Sequence, residues 1–340
     1  RFLRFVQTVT TNFPDLLRDT QASNQYNHAA ALERCLATVP SSRLKSNEAR
    51  VTLIGQALTP YLIDEALKAM SSCFRPSALF LHPLHNGFGD SVVVAFGEKQ
   101  AGEDASIAQC IEQVSNQYHI DIGLTEGTPH LNQRGLLVMD MDSTVIAIEC
   151  IDEIAKLAGV GEQVSKVTEM AMRGEIAFNE SLHHRVACLK GVPLNQLQQI
   201  RDSIPLMPGV QRLISTLKEN GWKVAVASGG FTYFADYLKE RLGLDAAVSN
   251  TLAVEGELLT GEVVGEVVNA DVKAATVKAL SHQWDISPHQ TVAMGDGAND
   301  LVMMATSALG VACHGKPVVN QQADVALRFS GLHGLLYFLS

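Results

Sequence analysis

An apolar run leads directly into two acids in the segment Gly135-Leu-Leu-Val-Met-Asp-Met-Asp-Ser-Thr-Val145. The run from Leu136 to Met139 has no polar alternation, which predicts a strand buried on both faces, as in a parallel sheet. Asp140 and Asp142 follow it, and carboxylates in such a position are costly unless they are paired, hydrogen-bonded or bound to a metal. Because ligands bind at the carboxyl ends of strands in open α/β sheets, the segment predicts a functional site.

Two later segments repeat the pattern of a short apolar strand followed by small and polar residues. A strand at 222–227 ends at Ser228-Gly229-Gly230, and a strand at 291–294 ends at Gly295-Asp-Gly-Ala-Asn-Asp300. Helical segments lie between these strands, and such alternation is expected of a doubly wound parallel sheet. We therefore predict an α/β fold whose core comprises residues 135–147 and 205–340.

The ends of parallel strands meet at one edge of a sheet, so these turns should line one crevice. That crevice would contain Asp140, Asp142, Ser228 and Asp296. Lys273, predicted in the first turn of a helix, would join them. A single Ser-Gly turn or a single helical Lys is usually structural, and only the shared position at strand ends and helix starts indicates a site.

The segment at 148–204 separates the first strand from the rest of the core. Ile151, Ile154 and Leu157 repeat with helical periodicity, and glycines then interrupt the pattern. We predict a small helical cap that leaves and re-enters the sheet and could act as a lid.

The N-terminal third has a different organisation. Residues 49–125 follow the order strand, helix, strand, strand, helix, strand, which predicts an α+β, ferredoxin-like (βαββαβ) domain. Residues 126–134 are polar, contain Gly and Pro, and are predicted to be a linker. Residues 1–48 stay unassigned apart from a predicted helix near 26–37. The element order at 49–125 resembles the ACT-type modules, which bind amino acids and regulate enzymes of amino-acid metabolism.

The composition is that of an ordinary soluble globular protein, with 340 residues, 46% hydrophobic residues and a net charge of −10. The acidic balance argues against nonspecific nucleic-acid binding, and no apolar run approaches the roughly 18 to 20 residues that span a bilayer. The six cysteines form no CxxC pair, which predicts free thiols in the reducing cytoplasm. The negative net charge is compatible with an anionic substrate, because a metal ion or local cations can reverse the electrostatic field within a cleft.

Other interpretations of the acidic motif fit less well. A calcium loop requires Gly at its sixth position, where Val145 stands, and Glu at its twelfth, which is absent. No GxGxxG or GxxxxGKS motif supports dinucleotide or P-loop binding. The histidines lack metal-ligand spacing and are interpreted as surface or core residues.

Taken together, the motifs at Asp140-Met-Asp-Ser-Thr144, Ser228-Gly-Gly230, Lys273 and Gly295–Asp300 resemble the phosphatases of the haloacid dehalogenase superfamily. The resemblance covers about residues 135–330. It implies that Asp140 is a nucleophile that forms an aspartyl-phosphate, and that Asp142 is the general acid and base.

The same resemblance implies a Mg²⁺ ion in the active site. Its expected ligands are Asp140, Asp296, the backbone carbonyl of Met141 and, through its backbone or indirectly, Asp142, with Asp300 supporting the metal shell. The residues expected to bind the substrate phosphate are Ser228, Gly229, Lys273 and Asn299.

The insert is similar to that of superfamily members that hydrolyse O-phospho-L-serine, on the basis of Glu149, Phe178-Asn-Glu-Ser-Leu182 and Arg185. The resemblance implies that Glu149 binds the α-ammonium group and Arg185 the α-carboxylate. The implied activity is Mg²⁺-dependent hydrolysis of O-phosphoserine to serine and phosphate, the last step of serine biosynthesis.

Serine then becomes the candidate regulatory ligand of the N-terminal module. The alternative is a structural or dimerising role for the module, in which the protein would be a homodimer. For the whole chain, three other hypotheses stay open: a phosphotransferase that uses another alcohol as acceptor, an amino-acid-binding regulator with an inactive phosphatase domain, and a phosphatase for another amino-bearing monoester.

Overall fold

The computed structural model describes residues 32–33 and 36–340. They form two compact units, of which one contains the described residues up to Asn132 together with Val311–Ser340, and the other is Gln133–Gly310. Residues 311–340, which the sequence analysis assigns to the α/β core, thus group with the N-terminal unit. The helix predicted near 26–37 falls mostly outside the described residues.

The N-terminal unit has the predicted order of elements. They are α1 (Ser41–Leu44), β1 (Arg50–Gly55), α2 (Pro60–Ala69), β2 (Phe74–Leu81), β3 (Ser91–Lys99), α3 (Asp104–Tyr118) and β4 (Asp121–Thr125). The strands pair antiparallel in the order β2-β3-β1-β4. Helix α2 begins where the sequence indicates, because the side chain of Thr59 accepts the N–H of Leu62 and Pro60 opens the first turn.

Parallel strands form the framework of the second unit. They are β5 (Leu136–Met139), β6 (Lys223–Phe231), β7 (Ala246–Glu255) and β9 (Thr291–Gly295), and β8 (Leu258–Val264) pairs antiparallel with β7. Their order is β9-β5-β6-β7-β8. All four residues of β5 have no exposed surface, as the unbroken apolar run predicts. The parallel α/β fold is therefore confirmed.

Four helices occupy the predicted insert: α4 (Cys150–Leu157), α5 (Gly161–Met172), α6 (Phe178–Ala187) and α7 (Leu194–Asp202). The two ends of the insert are adjacent, because the N–H of Ala147 donates to the carbonyl of Pro205 at 3.0 Å. The remaining helices of the unit are α8 (Val210–Glu219), α9 (Thr232–Leu242), α10 (Ala270–Gln283) and α11 (Leu301–Thr306). Within the described part of the chain, no helix has the length and apolar character needed to cross a membrane.

Buried polar groups explain why the C-terminal residues belong to the N-terminal unit. After β10 (Leu309–Cys313) come α12 (Pro317–Gln322) and β11 (Val325–Leu327), and β11 pairs parallel with β10. Arg50 on β1 has no exposed surface and donates to the carbonyl of Phe338 and the hydroxyl of Ser340. Asp121 on β4 accepts backbone N–H groups of residues 328–330. Removing residues 328–340 would take two hydrogen-bond acceptors from the buried guanidinium of Arg50 and three backbone donors from the carboxylate of Asp121.

Candidate active site

Asp140 occupies the first position after β5 and is only 6% exposed. Its backbone N–H donates to the carbonyl of Met294 on β9 at 2.9 Å, so the pairing of the two strands continues up to the site. The carboxylate is held at both oxygens. Oδ1 accepts the N–H of Met141 at 2.7 Å, and Oδ2 lies 2.8 Å from Nζ of Lys273. The fold itself therefore fixes the orientation of the predicted nucleophile.

Lys273 has no exposed surface and joins two carboxylates. Its Nζ lies 2.8 Å from Asp140 Oδ2 and 2.8 Å from Asp300 Oδ1. The residue is in the first turn of α10, as predicted, and the side chain of Asn269 caps that turn. Burial alone would lower the pKa of Lys273, but the charges of Asp140 and Asp300 outweigh burial and raise it. Lys273 is therefore a permanent positive charge beside the predicted nucleophile.

Three carboxylates form a candidate metal centre. Asp140, Asp296 and Asp300 each offer an oxygen, and these oxygens lie within 4.8 Å of one another. Burial and then the charge of Asp140 raise the pKa of Asp296, whose Oδ1 accepts the hydroxyl of Thr144 at 3.0 Å. A hard divalent cation such as Mg²⁺ prefers oxygen ligands of this kind and would cancel their mutual repulsion. The residues present therefore fit a divalent metal.

Asp300 is the most deeply placed of the three acids and has no exposed surface. Its Oδ2 accepts the N–H of Gly297 at 3.0 Å, while Oδ1 contacts Lys273. Burial and the charge of Asp140 raise the pKa of Asp300 to about 7, and Lys273 opposes this shift. A side chain at Gly295 has no room, because its Cβ would lie 2.3 Å from Asp300 Cγ. Asp300 thus orients Lys273 as well as supporting the carboxylate cluster.

The carbonyl of Met141 is engaged in the turn that follows β5. It accepts the N–H groups of Thr144, Val145 and Ile146 at 3.2, 2.8 and 3.1 Å. A carbonyl oxygen has two lone pairs, so three donors leave none for a cation. This geometry contradicts the prediction that the Met141 carbonyl is a metal ligand. The backbone of Asp142, the other predicted contributor, stays as the candidate.

Asp142 lies in the same turn and faces Gly230 in the last part of β6. Burial raises its pKa well above the ordinary value, the charge of Glu149 adds to this effect, and hydrogen bonds from Cys150 oppose it. A Cβ added at Gly230 would lie 2.5 Å from Met141 Cε and 3.0 Å from Asp142 Oδ2, so a larger residue would force these side chains to shift. A carboxyl with a raised pKa is suited to carry a proton to a leaving group.

Ser228-Gly229-Gly230 lies within the last part of β6, which extends beyond the predicted strand end at 227, and its pairing with β7 is interrupted there. This segment is held from two sides. The hydroxyl of Ser228, which is 1% exposed, accepts the N–H of Gly230 at 3.0 Å. Buried Asn250 on β7 donates from Nδ2 to the carbonyl of Gly229 at 2.7 Å and accepts the N–H of Val268 at 2.8 Å. Asn250 therefore ties the Ser228–Gly230 segment to the segment that leads into α10. No sequence motif predicts this role, because a single Asn in a strand belongs to no motif.

Glu149 and Arg185, the predicted substrate ligands, both lie on the helical insert. Glu149 precedes α4, and its Oε1 accepts the hydroxyl of Ser143 at 2.6 Å. Burial is the main cause of a raised pKa for Glu149, and the charges of Asp296 and Asp140 add to it. The structure therefore places Glu149 within electrostatic reach of the carboxylate cluster.

Arg185 lies in the last turn of α6 and is half-buried. Its Nε is buried without a hydrogen-bond partner, and no carboxylate of the described residues forms an ion pair with it. Burial lowers the pKa of Arg185, and the charges of Asp152, Glu149 and Asp142 partly offset this. A desolvated guanidinium without a carboxylate partner is a ready receptor for one.

Two further residues complete the surroundings. Phe178, the first residue of α6, lies against Gly229 in the last part of β6. A Cβ added at Gly229 would lie 3.2 Å from Cζ of Phe178. Asn299, the remaining predicted phosphate ligand, is half-buried in a single helical turn, Ala298–Asp300, directly before α11. The second unit thus contains all of the predicted site residues, and contacts within it join Asp140, Lys273, Asp300, Asp296 and, through the Gly230 loop, Asp142 and Ser228.

Comparisons with known proteins identify the family of this chain. Residues 135–307 match the model of the haloacid dehalogenase-like hydrolases. The chain is 54% identical over 237 residues to a phosphoserine phosphatase of Vibrio cholerae, covering 70% of this chain and 72% of the relative.

Solved structures agree as well. The crystal structure of a probable phosphoserine phosphatase from Vibrio cholerae is similar with a TM-score of 0.73 and 43% identity, over 92% of this chain and 93% of that one. A phospho-aspartyl intermediate analogue of phosphoserine phosphatase is similar with a TM-score of 0.58 and 38% identity, over 61% of this chain and 100% of that one. The chain therefore belongs to the haloacid dehalogenase-like hydrolases and, within them, to the phosphoserine phosphatases.

Proposed function

We propose that this protein hydrolyses O-phospho-L-serine to L-serine and phosphate through an aspartyl-phosphate on Asp140. The observation that carries the proposal is the pairing of two features in one unit. The Asp140 carboxylate is oriented by Met141 and Lys273, and the half-buried Arg185 has no carboxylate partner among the described residues. The first supplies a nucleophile for phosphorus, and the second selects a substrate that carries a carboxylate.

In the first step, a carboxylate oxygen of Asp140 attacks phosphorus, and the bond from phosphorus to the seryl oxygen breaks. Asp142 protonates that oxygen as it leaves, which its raised pKa favours. Lys273 offsets the repulsion between the carboxylate and the phosphate because its charge is fixed 2.8 Å from Asp140. The products of this step are serine and the phosphorylated Asp140.

In the second step, water attacks the phosphorus of the aspartyl-phosphate, and Asp142 takes the proton from that water. Inorganic phosphate leaves and the Asp140 carboxylate is restored. Ser228, the N–H of Gly229, Lys273 and Asn299 are the groups we assign to the phosphoryl oxygens. The Asn250 anchor supports this assignment for the loop, because it fixes the backbone of Gly229.

The proposed metal is Mg²⁺, with the carboxylates of Asp140 and Asp296 and the backbone carbonyl of Asp142 as ligands. The oxygen-only cluster supports this choice, since Mg²⁺ prefers such ligands. When bound, the ion would neutralise charge on the phosphate and on the acids around it. Asp300 would support the cluster by holding Lys273 in place.

Substrate selection rests on the insert. We assign the α-carboxylate of the substrate to Arg185, whose planar guanidinium can form two parallel hydrogen bonds with it. We assign the α-ammonium group to Glu149, which the hydroxyl of Ser143 orients at 2.6 Å. Together the two side chains match both charges of an amino acid.

The direct test is steady-state release of phosphate from O-phosphoserine with Mg²⁺, for the wild type and for Asp140→Asn. We expect the variant to keep its fold by circular dichroism and to lose more than 99% of the activity, roughly the 10² or more attributable to nucleophilic catalysis. Wild-type protein that hydrolyses an unrelated monoester but not phosphoserine would overturn the substrate assignment.

For the N-terminal unit we propose binding of serine as a regulatory ligand and formation of a homodimer, supported by its resemblance in element order to ACT-type modules. Calorimetric titration of the full-length protein with serine, combined with sedimentation analysis, tests both ideas. If titration of the Asp140→Asn protein with millimolar serine releases no heat, the proposal that the N-terminal unit binds serine is refuted. We also propose a cytoplasmic location, to be checked by cell fractionation, because the described cysteines are free thiols.

A further inference from the structure

Two cysteines that are far apart in the sequence lie side by side in the N-terminal unit. Cys73 follows α2 in the turn before β2, and Cys110 lies in the middle of α3. Their Sγ atoms are 3.4 Å apart, with Cys73 placed to donate its hydrogen to Cys110. A disulfide requires the sulfurs to approach by about another 1.4 Å.

The two thiols differ in their surroundings. Cys73 is 3% exposed, and its Sγ also lies 3.2 Å from the carbonyl oxygen of Met70, an alternative acceptor for its single hydrogen. Cys110 is half-buried and lies at the surface end of the pair. Ser72 Oγ lies 3.8 Å from the sulfur of Cys110. Burial, together with the neighbouring Cys110, raises the pKa of Cys73 to about 12. When a half-buried thiol is paired with a fully buried one, the more accessible thiol can meet an oxidant and the buried thiol can resolve the product.

We propose that Cys73 and Cys110 are a redox modification site, at which a hydroperoxide converts the two thiols into a reversible disulfide. The inference concerns the N-terminal unit and does not depend on the chemistry of the phosphatase site. No residue of that site takes part in it.

The reaction balances with one hydrogen peroxide molecule. The Cys110 thiolate attacks one peroxide oxygen, the O–O bond breaks, and the departing hydroxide takes up the thiol proton to leave as water, which gives a sulfenic acid. The sulfur of Cys73 then attacks the sulfur of that sulfenic acid. The S–S bond forms, the S–O bond breaks, and the hydroxyl leaves as a second water with the proton of Cys73. The two thiols lose two electrons and the peroxide gains them.

The disulfide would join α3 to the connection between α2 and β2, closing a loop between residues 73 and 110. Such a crosslink restricts the unfolded chain and should raise the urea midpoint of this unit. Helices α2 and α3 would then be unable to separate, so the unit would become more rigid on oxidation. Reduction by a dithiol would reverse both effects.

The test uses full-length protein that has been reduced, freed of reductant and exposed to a small molar excess of hydrogen peroxide. Remaining thiols are alkylated in urea, and the digest is analysed by mass spectrometry. We expect a linked peptide pair containing Cys73 and Cys110, lighter than the two free peptides by two hydrogen atoms, which disappears after treatment with dithiothreitol. The oxidised protein should also show a higher urea midpoint in the transition of the N-terminal unit.

Cys110→Ser should abolish the linked pair and leave Cys73 alkylated, while the matched control Cys188→Ser should retain it. The peptide analysis of the wild-type protein alone shows whether the disulfide forms, so the test does not require that a Cys73→Ser protein folds. The proposal is overturned if both thiols stay alkylated at peroxide doses that oxidise Cys188. It is also overturned if Cys110 is linked mainly to another cysteine or is driven to a sulfinic acid without linkage.

Discussion

Replacing Arg185 with Ala should change which phosphomonoesters the enzyme prefers. Arg185 is half-buried on α6 and its Nε has no hydrogen-bond partner among the described residues. A hydrogen bond to a charged group contributes about 1.5–3 kcal/mol, and loss of the paired contact with a carboxylate should cost about 3 kcal/mol. Because about 1.4 kcal/mol corresponds to a factor of ten, kcat/KM for phosphoserine should fall roughly 150-fold.

Phosphoethanolamine supplies the comparison, because it has the ammonium and phosphate groups but no carboxylate. Its kcat/KM should change by less than about threefold in Arg185→Ala, since the lost contact has no counterpart in that substrate. Arg185→Lys keeps the charge without the planar fork and should give an intermediate loss on phosphoserine alone. Phosphate release from both substrates is measured for all three proteins. An equal fall on both substrates would refute the assignment and indicate that Arg185 only supports the insert.

Three further predictions concern residues that the structure shows in contact. Lys273→Met should abolish phosphate release and lower the unfolding free energy, measured in urea, by about 3–5 kcal/mol, because Asp140 and Asp300 would remain as buried charges. The control Lys278→Met, at an exposed position of α10, should change neither phosphate release nor stability. Burial and then Arg50 lower the pKa of His82 to about 3 from 6.5, so the unfolded chain binds the proton first. The stability contributed by neutral His82 is therefore complete above about pH 6.5 and is lost, at up to about 1.4 kcal/mol per pH unit, as the pH falls towards 3. In His82→Asn, the unfolding free energy measured in urea should depend less on pH over that range. Asn250→Leu should leave the carbonyl of Gly229 without its donor, a loss of about 1–3 kcal/mol that lowers kcat/KM by roughly five- to 150-fold. Thr251→Leu, at the exposed neighbouring position, should not change kcat/KM. For Lys273 and Asn250, equal effects of the variant and its control would contradict the contact concerned. For His82, an unchanged pH dependence of stability in His82→Asn would contradict the lowered pKa.

The strand ends of the site could be predicted because their physical signal is local. An unbroken apolar run such as Leu136–Met139 can hardly be anything but a buried strand, and acids that directly follow it need partners. The parallel pairing of β5 with β6 and β9 then brings Asp140, the Ser228 loop and Asp296 to one edge. The order of elements at 49–125 could likewise be predicted from alternating strands and turn residues.

Other features depend on contacts that carry no local signal. The Met141 carbonyl is occupied by three N–H groups of a tight turn, and nothing in the motif distinguishes that turn from one with a free carbonyl. The sequence analysis assigned Asp300 to the metal shell, and its ion pair with Lys273 requires knowledge of how α10 lies against the turn after β9.

Long-range pairs were out of reach for the same reason. Residues 311–340 group with the N-terminal unit through Arg50 and Asp121, whose partners lie more than 200 residues away. The six cysteines were interpreted as separate buried thiols, although the described structure places Cys73 beside Cys110. In each case the chain fold, and no local pattern, creates the contact.

The central claim is that Asp140 carries the phosphoryl group during turnover. The most direct measurement is a rapid acid quench of the wild-type protein with phosphoserine labelled in the phosphate, followed by peptide mapping of the trapped label. We expect the label to be trapped as an acyl phosphate on Asp140. This species should form and decay at the rate of turnover, and it should be absent from Asp140→Asn. Full turnover in wild type with label on another residue, or comparable turnover by Asp140→Asn, would contradict the account.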